Sequence, residues 1–597
     1  MPPSPTQTHA LAIWFSAPSL WLLAIIVWLL LLARHQLRSA SRLTRWGFVG
    51  FVVLGAAWRV WLSPMIAATA WSWSRESPLP LLLSRGPVLG LLAEYAPGPL
   101  WFDDVVHIVH LVLACLTPIA LFAHGAALLK DPRTAVIAAG LLAMSPHHIR
   151  FAATDAYFIP SLWLSSSAFA AVYAVASARR WFSQAAAIVA LLLLTWLTLA
   201  ARPLNILFVP LLLVSAWMAS EGKKDARGRL LVIAACILAP GLARLYSMLT
   251  VQTQSVSQGL SLSTLTDGIR LLFRPTHNPM TAWALTPPLW TPLIAWGAWL
   301  TWRADRRRAA FLLAWLFGFI LAHGVVVPEN PGMNARYQLH ALAPMVLLAA
   351  PAARRLAELL WTARPGGRVA AVVFGLTLIV APLLHRPAIE DTTAYVQQEH
   401  LFYAQVRALA SDRCVVIERL RPRSLGEVTP RAPRLAQHIG GRGPRWRSIA
   451  LSQEVETAMS NGVGSAPERG SSPRRPGAKR PPPSVVPQRD AAEDAAENTA
   501  EYSSGDAHRF IEHPATWNPD IDAALRSDCV LFLEGVACHR SRTGPGRDPL
   551  CARLLGAAKW RRIAERTLPM RHWDPNFAGH LRAEGQPVTL RIWMRQP

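Results

Sequence analysis

Long apolar segments recur along the first two thirds of this chain, and they restrict its fold more than any other feature. Each has about 17 to 22 residues, enough for an α-helix to cross roughly 30 Å of hydrocarbon at about 1.5 Å per residue. With 52% hydrophobic and 16% charged residues among 597, the composition exceeds what one soluble core needs. We therefore expect an α-helical polytopic membrane protein with about twelve transmembrane helices. They lie near residues 11–33, 46–66, 104–128, 134–146, 157–178, 183–200, 203–219, 230–250, 283–302, 309–327, 338–353 and 369–385.

The first of these segments is expected to stay in the mature protein and not to act as a signal peptide. Residues 1–10 contain no Lys or Arg, the apolar run is long, and no small-residue cleavage site follows it. Residues 1–45 then supply an extra transmembrane helix and a basic loop, ahead of a bundle at 46–385.

Lys and Arg are distributed unequally between the two sets of connecting loops. Six alternate loops hold 20 of these residues, whereas the opposite loops hold about eight. Because loops on the cytoplasmic side carry the excess of Lys and Arg, we expect both termini outside the inner (cell) membrane. The formal charge of +24 therefore needs no nucleic-acid partner. The six basic loops are residues 34–45, 130–133, 179–180, 221–229, 303–308 and 354–368.

The composition changes after residue 385, and residues 386–597 are too polar to span a membrane. Strand-like runs such as "CVLFLEGVAC" accompany helix-like runs such as "CARLLGAAKWRRIAER". We expect a C-terminal extracytoplasmic α/β domain. Within it, residues 461–505 are rich in Pro, Gly, Ser and Ala without apolar periodicity, which predicts a disordered insert.

Four of the six cysteines fall in this outer domain, at Cys414, Cys529, Cys538 and Cys551. An even number of cysteines in an oxidising compartment predicts two disulfides, and three pairings are possible. A zinc site is the alternative, but no two of these cysteines have C-x₂₋₄-C spacing.

The stretch "SPHHIRFAATDAYFIP" at 145–160 gathers polar groups where one apolar segment ends and the next begins. An ionisable residue at a membrane boundary is costly, so Asp155 is a candidate for function. The adjacent His147 and His148 point apart on any regular element, which disfavours a shared metal ion. Arg150 has the alternative role of an interfacial anchor, as Arg336 has.

At this point the order of features resembles the GT-C glycosyltransferases, in the group that includes the ArnT-like and protein mannosyltransferase-like enzymes of family 39. The family pattern P-x-H-I-x-x-S-x-(D/E)-x-x-Y is matched approximately after the fourth segment, and R-Y-x-x-x-x-x-P is matched before the eleventh. The "ARPLNILFVP" stretch completes the set. The matching residues are Pro146, His148, Ile149 and Asp155, with Tyr157 close by, and Arg336, Tyr337 and, one position displaced, Pro344.

The resemblance covers roughly residues 46–385 and implies transfer of a sugar from a polyprenyl-phosphate carrier to an envelope lipid, glycan or protein, usually with inversion. A carboxylate takes the acceptor proton, and cations hold the departing phosphate. Arginine suits the second task because its planar donors bind phosphate bidentately. The implied catalytic residues are Glu76 and Asp155. The implied substrate- or phosphate-binding residues are His148, Arg202, Asn205, Arg336, Tyr337 and His340, with Asp103, Asp104, His277, Asn278 and Arg150 as further candidates.

The sequence departs from the family where an Asp or Asp-Glu pair is expected soon after the first conserved segment. Here "RVWLSPMIAATAWSWSRES" has no acid before Glu76. Either Glu76 takes the role, or Asp103 and Asp104 return over the site as bases and not as helix caps, or activity is reduced or lost. These residues identify no definite cofactor, a divalent cation stays possible, and the sugar and the acceptor stay open.

Two other classes of function are compatible with a multi-pass chain. A transporter or flippase for lipid-linked intermediates predicts internal repeats with matching helix breaks, which we do not find. A membrane scaffold without catalysis would make the polar groups of the outer loops incidental.

Overall fold

The structure is a computed structural model of the full chain. It describes residues 22–64, 102–154, 158–221, 226–251, 278–326, 336–363, 365–391, 405, 409, 414–419, 445–451, 508–513, 519–535, 538, 549–568 and 588–596. Glu76, Asp155, Tyr157, His277 and the insert at 461–505 lie outside these residues. Asp103 and Asp104 are helical, and only their backbone is described.

The chain forms two compact units, residues 1–397 with 570–585 and residues 398–569 with 586–597. The described part of the first unit consists of helices joined by turns. Its helices are α1 (Leu22–Leu37), α2 (Arg42–Leu62), α3 (Phe102–Leu129), α4 (Pro132–Ala143), α5 (Pro146–Arg150), α6 (Phe158–Ser177), α7 (Trp181–Ala201), a 3₁₀ helix (Pro203–Leu207), α8 (Phe208–Ser220), α9 (Ala226–Val251), α10 (Trp290–Ala304), α11 (Arg306–Val326), α12 (Leu339–Thr362), α13 (Pro365–Leu384) and α14 (Arg386–Glu390).

A helix lies in each of the predicted apolar segments. Within the part of the chain that the structure describes, five helices are long and apolar enough to cross a membrane, and they support a membrane protein. They are His107–Leu129, Phe158–Ser177, Trp181–Ala201, Ala226–Tyr246 and Gly366–Glu390. Shorter apolar helices occur at Leu22–Leu37, Pro132–Ala143 and Leu204–Ser220. The number of about twelve spans therefore stays a prediction.

Local signals determine where several helices begin. The Asp131 side chain accepts a hydrogen bond from Arg133 N at 3.0 Å at the start of α4, and Pro132 occupies the first turn. Ser145 caps α5 in the same way, accepting from His148 N at 3.3 Å. This second cap explains why a new helix, α5, begins at Pro146, where the predicted segment 134–146 ends.

Two helices, α6 and α12, form the centre of the first unit. Most residues of α6 are buried, as are nearly all residues from Leu339 to Ala353 in α12. Neighbouring helices approach closely at small residues, as is common where apolar helices pack in membranes. A Cβ added to Gly297 of α10 would overlap the Leu348 carbonyl oxygen of α12. The close approach of backbones thus depends on glycine at this position.

Four of the predicted basic loops meet at one end of the bundle. Arg354 forms ion pairs with Asp131 and, at 2.7 Å, with Glu358. Arg307 pairs with Glu221. These contacts join loop 130–133 to 354–368 and loop 221–229 to 303–308, as their predicted location on one side requires. The side of the membrane on which they lie stays a prediction.

The second unit contains a six-stranded sheet in the order β3-β2-β1-β4-β6-β5. The first four strands are parallel, and β6 runs antiparallel to both of its neighbours. Helices α15 and α16 contribute Ile521 and Leu554 to a core with Val530 and Phe532 of β4. The elements are β1 (Cys414–Arg419), β2 (Arg445–Leu451), β3 (His508–His513), α15 (Pro519–Leu525), β4 (Cys529–Glu534), α16 (Pro549–Gly556), β5 (Trp560–Leu568) and β6 (Val588–Arg595).

The structure joins the four candidate cysteines of this unit in two disulfides. Cys414 bonds to Cys529, its direct partner in the parallel register of β1 and β4, and Cys538 bonds to Cys551. Cys115 and Cys236 are free thiols. Of the three pairings that the sequence left open, the structure therefore has one, Cys414 with Cys529 and Cys538 with Cys551.

Candidate functional site

Two arginines from distant parts of the chain converge on the ring of Tyr337. The guanidinium carbon of Arg202 lies 5.4 Å from the ring centroid, and that of Arg336 lies 5.2 Å from it. Arg202 also lies 3.7 Å from the centroid of Phe158, and Arg336 Nη2 donates to the Tyr337 hydroxyl at 3.4 Å. Aromatic faces stabilise cations without neutralising them, so both guanidinium groups keep their charge at these rings.

The two helices that begin beside these residues, α6 and α12, add to the positive potential, whereas α7 ends before Arg202 and presents its negative end there. Phe158 is the first residue of α6, and Arg336 and Tyr337 immediately precede α12. Arg202 follows the last residue of α7, in an extended conformation before Pro203. Helix N-termini present unpaired N–H groups and the positive end of the helix dipole. An anion with several oxygen atoms, such as a phosphate, is the ligand that this combination favours.

A hydrogen-bond network lies beneath the two arginines. Asn205 Nδ2 donates to Thr198 O at 2.6 Å and to Ser161 Oγ at 2.7 Å. Ser161 Oγ lies 2.9 Å from His340 Nε2. A carbonyl only accepts, so the amide nitrogen must face Thr198. The Ser161 oxygen accepts from Asn205 and shares a second hydrogen bond with His340 Nε2.

Burial assigns a structural part to two of the candidate residues. Asn205 and His340 are fully buried, as is Ser161 between them. The rings of Phe158, Phe208 and Phe319 surround His340, with centroids 5.0 to 5.9 Å away. These two side chains therefore hold α6, the 3₁₀ helix and α12 together below the arginine cluster.

His148 and Arg150 make contacts of a different kind. His148 Nδ1 accepts from Arg59, at 3.2 Å from Nε and 2.9 Å from Nη2, so the proton of the neutral ring lies on Nε2. Burial, then the nearby charges of Arg59 and His147, lower the pKa of His148 well below its usual value. Arg150 donates to the Ala388 carbonyl and lies 5.5 Å from the Phe151 ring. Both residues thus belong to the junction of α2, α4, α5 and α14.

Arg59 itself is a buried charge with a clear structural reason. Its Nη1 donates to the carbonyls of Gly55 at 2.7 Å and Ala143 at 2.8 Å, and its Nη2 donates to Leu142 at 3.1 Å. The last carbonyls of a helix lack partners within the helix and form the negative end of its dipole. Arg59 therefore closes the C-terminus of α4 and fixes the direction of the chain toward α5.

Two side chains from other parts of the chain form hydrogen bonds with the backbone of Ala153 and Thr154, the two residues before Asp155. Ser63 Oγ accepts from Ala153 N at 3.0 Å, and His110 Nδ1 lies 2.5 Å from the Thr154 carbonyl. Because that carbonyl can only accept, the proton of His110 lies on Nδ1. The backbone immediately before Asp155 is thus fixed by α2 and α3.

The remaining candidates are placed as follows. Asn278 accepts from Met280 N at 3.0 Å with its own side-chain oxygen, which closes a local turn. Among the described residues no group of three His, Cys, Asp or Glu could hold a metal ion. The acids Glu76 and Asp155 lie outside that part of the chain. A divalent cation at these acids therefore stays a prediction from the sequence, and no chemical step is assigned to it.

Sequence reasoning missed Phe158, Ser161 and His110 as parts of this region. Ser161 lies within an apolar segment that contains five serines, and nothing in its neighbours distinguishes it from the others. His110 is one of three histidines in α3. The one signal in the sequence that could have identified them is that polar side chains in an apolar helix cost free energy and therefore tend to have a role.

No protein-family model and no curated protein matches the chain. Solved structures to which it is similar include ArnT from Cupriavidus metallidurans in the apo state, at 11% identity and a TM-score of 0.48, covering 92% of this chain and 98% of that one. The same ArnT bound to undecaprenyl phosphate matches at 11% identity and a TM-score of 0.46, covering 91% and 97%. An oligosaccharyltransferase of Archaeoglobus fulgidus in the apo form matches at 13% identity and a TM-score of 0.39 over 60% of this chain.

The chain covers 57% of the length of that oligosaccharyltransferase. Both kinds of protein are GT-C glycosyltransferases, the group that the sequence motifs resemble. At such identities and TM-scores, the role of each residue must be argued from the contacts of this chain.

Proposed function

We propose that this chain is an integral membrane glycosyltransferase that moves a sugar from a polyprenyl-phosphate donor to a cell-envelope acceptor. The observation that carries the proposal is the convergence of Arg202 and Arg336 on Tyr337, beside the starts of the two central helices. Arginine side chains at the ends of apolar helices can offer several hydrogen bonds to the oxygen atoms of one phosphate. A phosphate on a lipid carrier is an anion that reaches a membrane boundary together with its apolar chain.

In the proposed reaction, an acceptor hydroxyl oxygen attacks the anomeric carbon of the sugar. The bond from that carbon to the phosphate oxygen breaks, and its electron pair stays on the polyprenyl phosphate. Arg202 and Arg336 would stabilise the charge that develops there, by hydrogen bonds directed at phosphate oxygens. Attack opposite the leaving group inverts the anomeric centre.

The acceptor proton requires a base, and the proposal gives this role to Asp155, with Glu76 as the second carboxylate. A carboxylate positioned within hydrogen-bond reach contributes about 10² to 10⁴-fold as a general base. The support for Asp155 is its place in the sequence, directly after Thr154, whose backbone carbonyl His110 binds. We further propose that the reaction takes place on the outer face of the membrane. The basic loops are predicted to be cytoplasmic, and the arginine cluster lies at the opposite ends of α6 and α12.

Binding and catalysis can be tested separately. Undecaprenyl phosphate is titrated into the purified full chain in nanodiscs, and Arg202→Lys and Arg336→Lys are compared with Arg303→Lys. Lysine keeps the charge but loses the bidentate geometry, so we expect each site variant to bind about tenfold more weakly. Arg303 lies on Trp299 at the other end of the bundle, and its variant should bind normally. Equal affinity of all three variants for undecaprenyl phosphate would contradict the proposal that Arg202 and Arg336 bind its phosphate.

Activity is tested in a deletion strain by mass spectrometry of its envelope glycans and lipids. The missing sugar should return with the unaltered chain and with Arg303→Lys, and not with Asp155→Asn or Arg336→Gln. The variant Glu76→Gln shows whether the Glu76 carboxylate also acts as a base. Full restoration by Asp155→Asn and Glu76→Gln together would overturn the enzymatic proposal.

A further inference from the structure

A second polar region lies at the other end of the bundle, far from the arginine cluster on Tyr337. It is a cavity of about 220 Å³ where α3, α6 and α8 end and α11 begins. Its polar lining consists of Lys130, Tyr173, Glu221, Asp305, Arg307 and Arg308. Tyr173 is fifteen residues beyond Phe158 on α6, which separates the two regions by roughly 22 Å at about 1.5 Å per residue.

The charges in this cavity do not balance. Arg307 is paired with Glu221, and Arg308 Nε lies 2.9 Å from Asp305 Oδ2. Arg308 Nη1 also donates to the Leu129 carbonyl at 3.5 Å. Within the described part of the chain, the Lys130 ammonium has neither an ion pair nor a hydrogen bond. Among the described residues that line the cavity, three cations thus face two carboxylates, and Lys130 supplies the excess charge.

The backbone of Lys130 gives a second, independent observation. Its φ of 54° lies in the left-handed region, and among the described residues no other non-glycine residue has a positive φ. A side chain in this region costs on the order of 1 kcal/mol, which glycine at the end of a helix avoids. Glycine would relieve this strain, whereas lysine at this position places an ammonium group at the cavity that it lines.

The surroundings indicate a ligand from the membrane surface. Arg307 lies 5.0 Å from the ring centroid of Trp217, and Arg303 lies 4.2 Å from that of Trp299. Both tryptophans are partly exposed, at 46% and 47%. Trp side chains with neighbouring arginines are typical of the level of lipid headgroups at the ends of membrane helices.

We propose that Lys130, Arg307 and Arg308 form a binding site for the phosphate of an anionic phospholipid. Asp305 and Glu221 hold the two arginines in place and keep the excess at one positive charge, which suits a headgroup with a single negative charge. Lys130 contacts the phosphate as the mobile cation, and Trp217 lies beside the acyl chains. This site is independent of the proposed transferase activity, because it uses other residues at the opposite end of α6.

The test uses the purified full chain and the variant Lys130→Gly. Glycine adopts the same φ without strain, so the variant removes the cation and should not impair folding. Arg308→Gln is the second site variant. Arg303→Gln is the matched control, because it removes one positive charge from the same end without altering the cavity lining. Binding is followed by native mass spectrometry and thermal shift, with phosphatidylglycerol, phosphatidylcholine and inorganic phosphate as separate probes.

Phosphatidylglycerol should bind and raise the melting temperature more than phosphatidylcholine does. One cation near a membrane surface contributes enough to change affinity about fivefold, so Lys130→Gly and Arg308→Gln should each weaken phosphatidylglycerol binding by about that factor. Arg303→Gln should leave it unchanged. Unaltered binding by Lys130→Gly would reduce Lys130 to a helix cap and overturn the proposal. An equal loss in Arg303→Gln would indicate general surface attraction, and an equal effect of inorganic phosphate would exclude the lipid, so both would overturn it.

Discussion

The hydroxyl of Ser161 lies 2.9 Å from Nε2 of His340, a residue 179 positions further along the chain. Together with the bond from Asn205 Nδ2 to Ser161 Oγ, this contact connects both central helices to the segment after α7. All three side chains are fully buried. The stability of the region beneath the arginine cluster therefore depends on one serine.

Replacing Ser161 with alanine should destabilise the protein by about 1 to 3 kcal/mol, because it leaves Asn205 and His340 with unsatisfied buried groups. Ser167→Ala is the matched control. Ser167 is also buried on α6, but its hydroxyl donates only to the Trp163 carbonyl of its own helix, at 2.8 Å. Thermal melting in detergent should show a clear decrease for Ser161→Ala and little change for Ser167→Ala. Similar melting of the two variants would contradict the network.

Gly297→Ala should severely reduce the amount of folded protein. Its Cβ would overlap the Leu348 carbonyl oxygen, a backbone atom that cannot move aside without separating α10 from α12. Gly318→Ala in α11 is the control, since its Cβ would meet no atom within 4 Å. Fluorescence-detected size-exclusion chromatography should show loss of the monodisperse peak for the first variant alone. A normal peak for Gly297→Ala would mean that the two helices do not pack this closely.

Stability should decrease as the pH falls below about 6.5, the ordinary pKa of histidine. The pKa of His148 is lowered in the folded state, first by burial and then by Arg59, so the folded protein keeps this ring neutral while the unfolded chain takes up a proton. The stabilisation is complete above that pH and declines by up to about 1.4 kcal/mol per pH unit below it.

Melting temperatures at pH 8 and pH 5.5 would measure this effect. His148→Gln keeps a hydrogen-bond acceptor for Arg59 but cannot take up a proton, so its melting temperature should vary less with pH. His385→Gln, which alters an exposed histidine, should behave like the unaltered chain. An unchanged pH dependence in His148→Gln would show that another group is responsible.

Peptide mapping without reduction should recover Cys414 linked to Cys529 and Cys538 linked to Cys551, with Cys115 and Cys236 open to alkylation after unfolding. The first disulfide spans 115 residues and the second spans 13. Loop-closure entropy predicts stabilisation of about 4 to 5 kcal/mol for the first and about 3 kcal/mol for the second. Replacing Cys414 and Cys529 with serine should therefore destabilise the second unit more than replacing Cys538 and Cys551. The reverse order, or a different pairing, would contradict this arrangement of β1 and β4.

The positions of the helices could be predicted because the signals that produce them are local. An apolar run determines which residues leave water, and the side chains of Asp131 and Ser145 determine where α4 and α5 begin. Boundaries were predicted less well. The segment predicted to end at 353 continues in α12 to Thr362, where Arg354 and Glu358 stabilise another turn by an ion pair at i and i+4.

The candidate site could be predicted only as a set of residue types. Arginine, asparagine, tyrosine and histidine suit phosphate and sugar, and they recur where apolar segments end. The structure brings Arg202, Arg336 and Tyr337 together, directs Asn205 and His340 into a buried network, and gives His148 to Arg59. The carboxylates Asp155 and Glu76 lie outside the described residues, and their roles stay predictions.

The sequence by itself determined the class of the protein, the approximate helices and the kinds of chemical group at their ends. These follow from hydropathy and capping, which depend on neighbours within a few turns of the chain. Only the tertiary structure decided that Arg202 meets Tyr337, that Ser161 joins Asn205 to His340, and which cysteines pair. Contacts between residues so far apart in the chain depend on how whole helices and strands pack against one another. That packing depends on close approaches such as that of Gly297 to Leu348, and no local sequence pattern identifies Leu348 as the partner of Gly297.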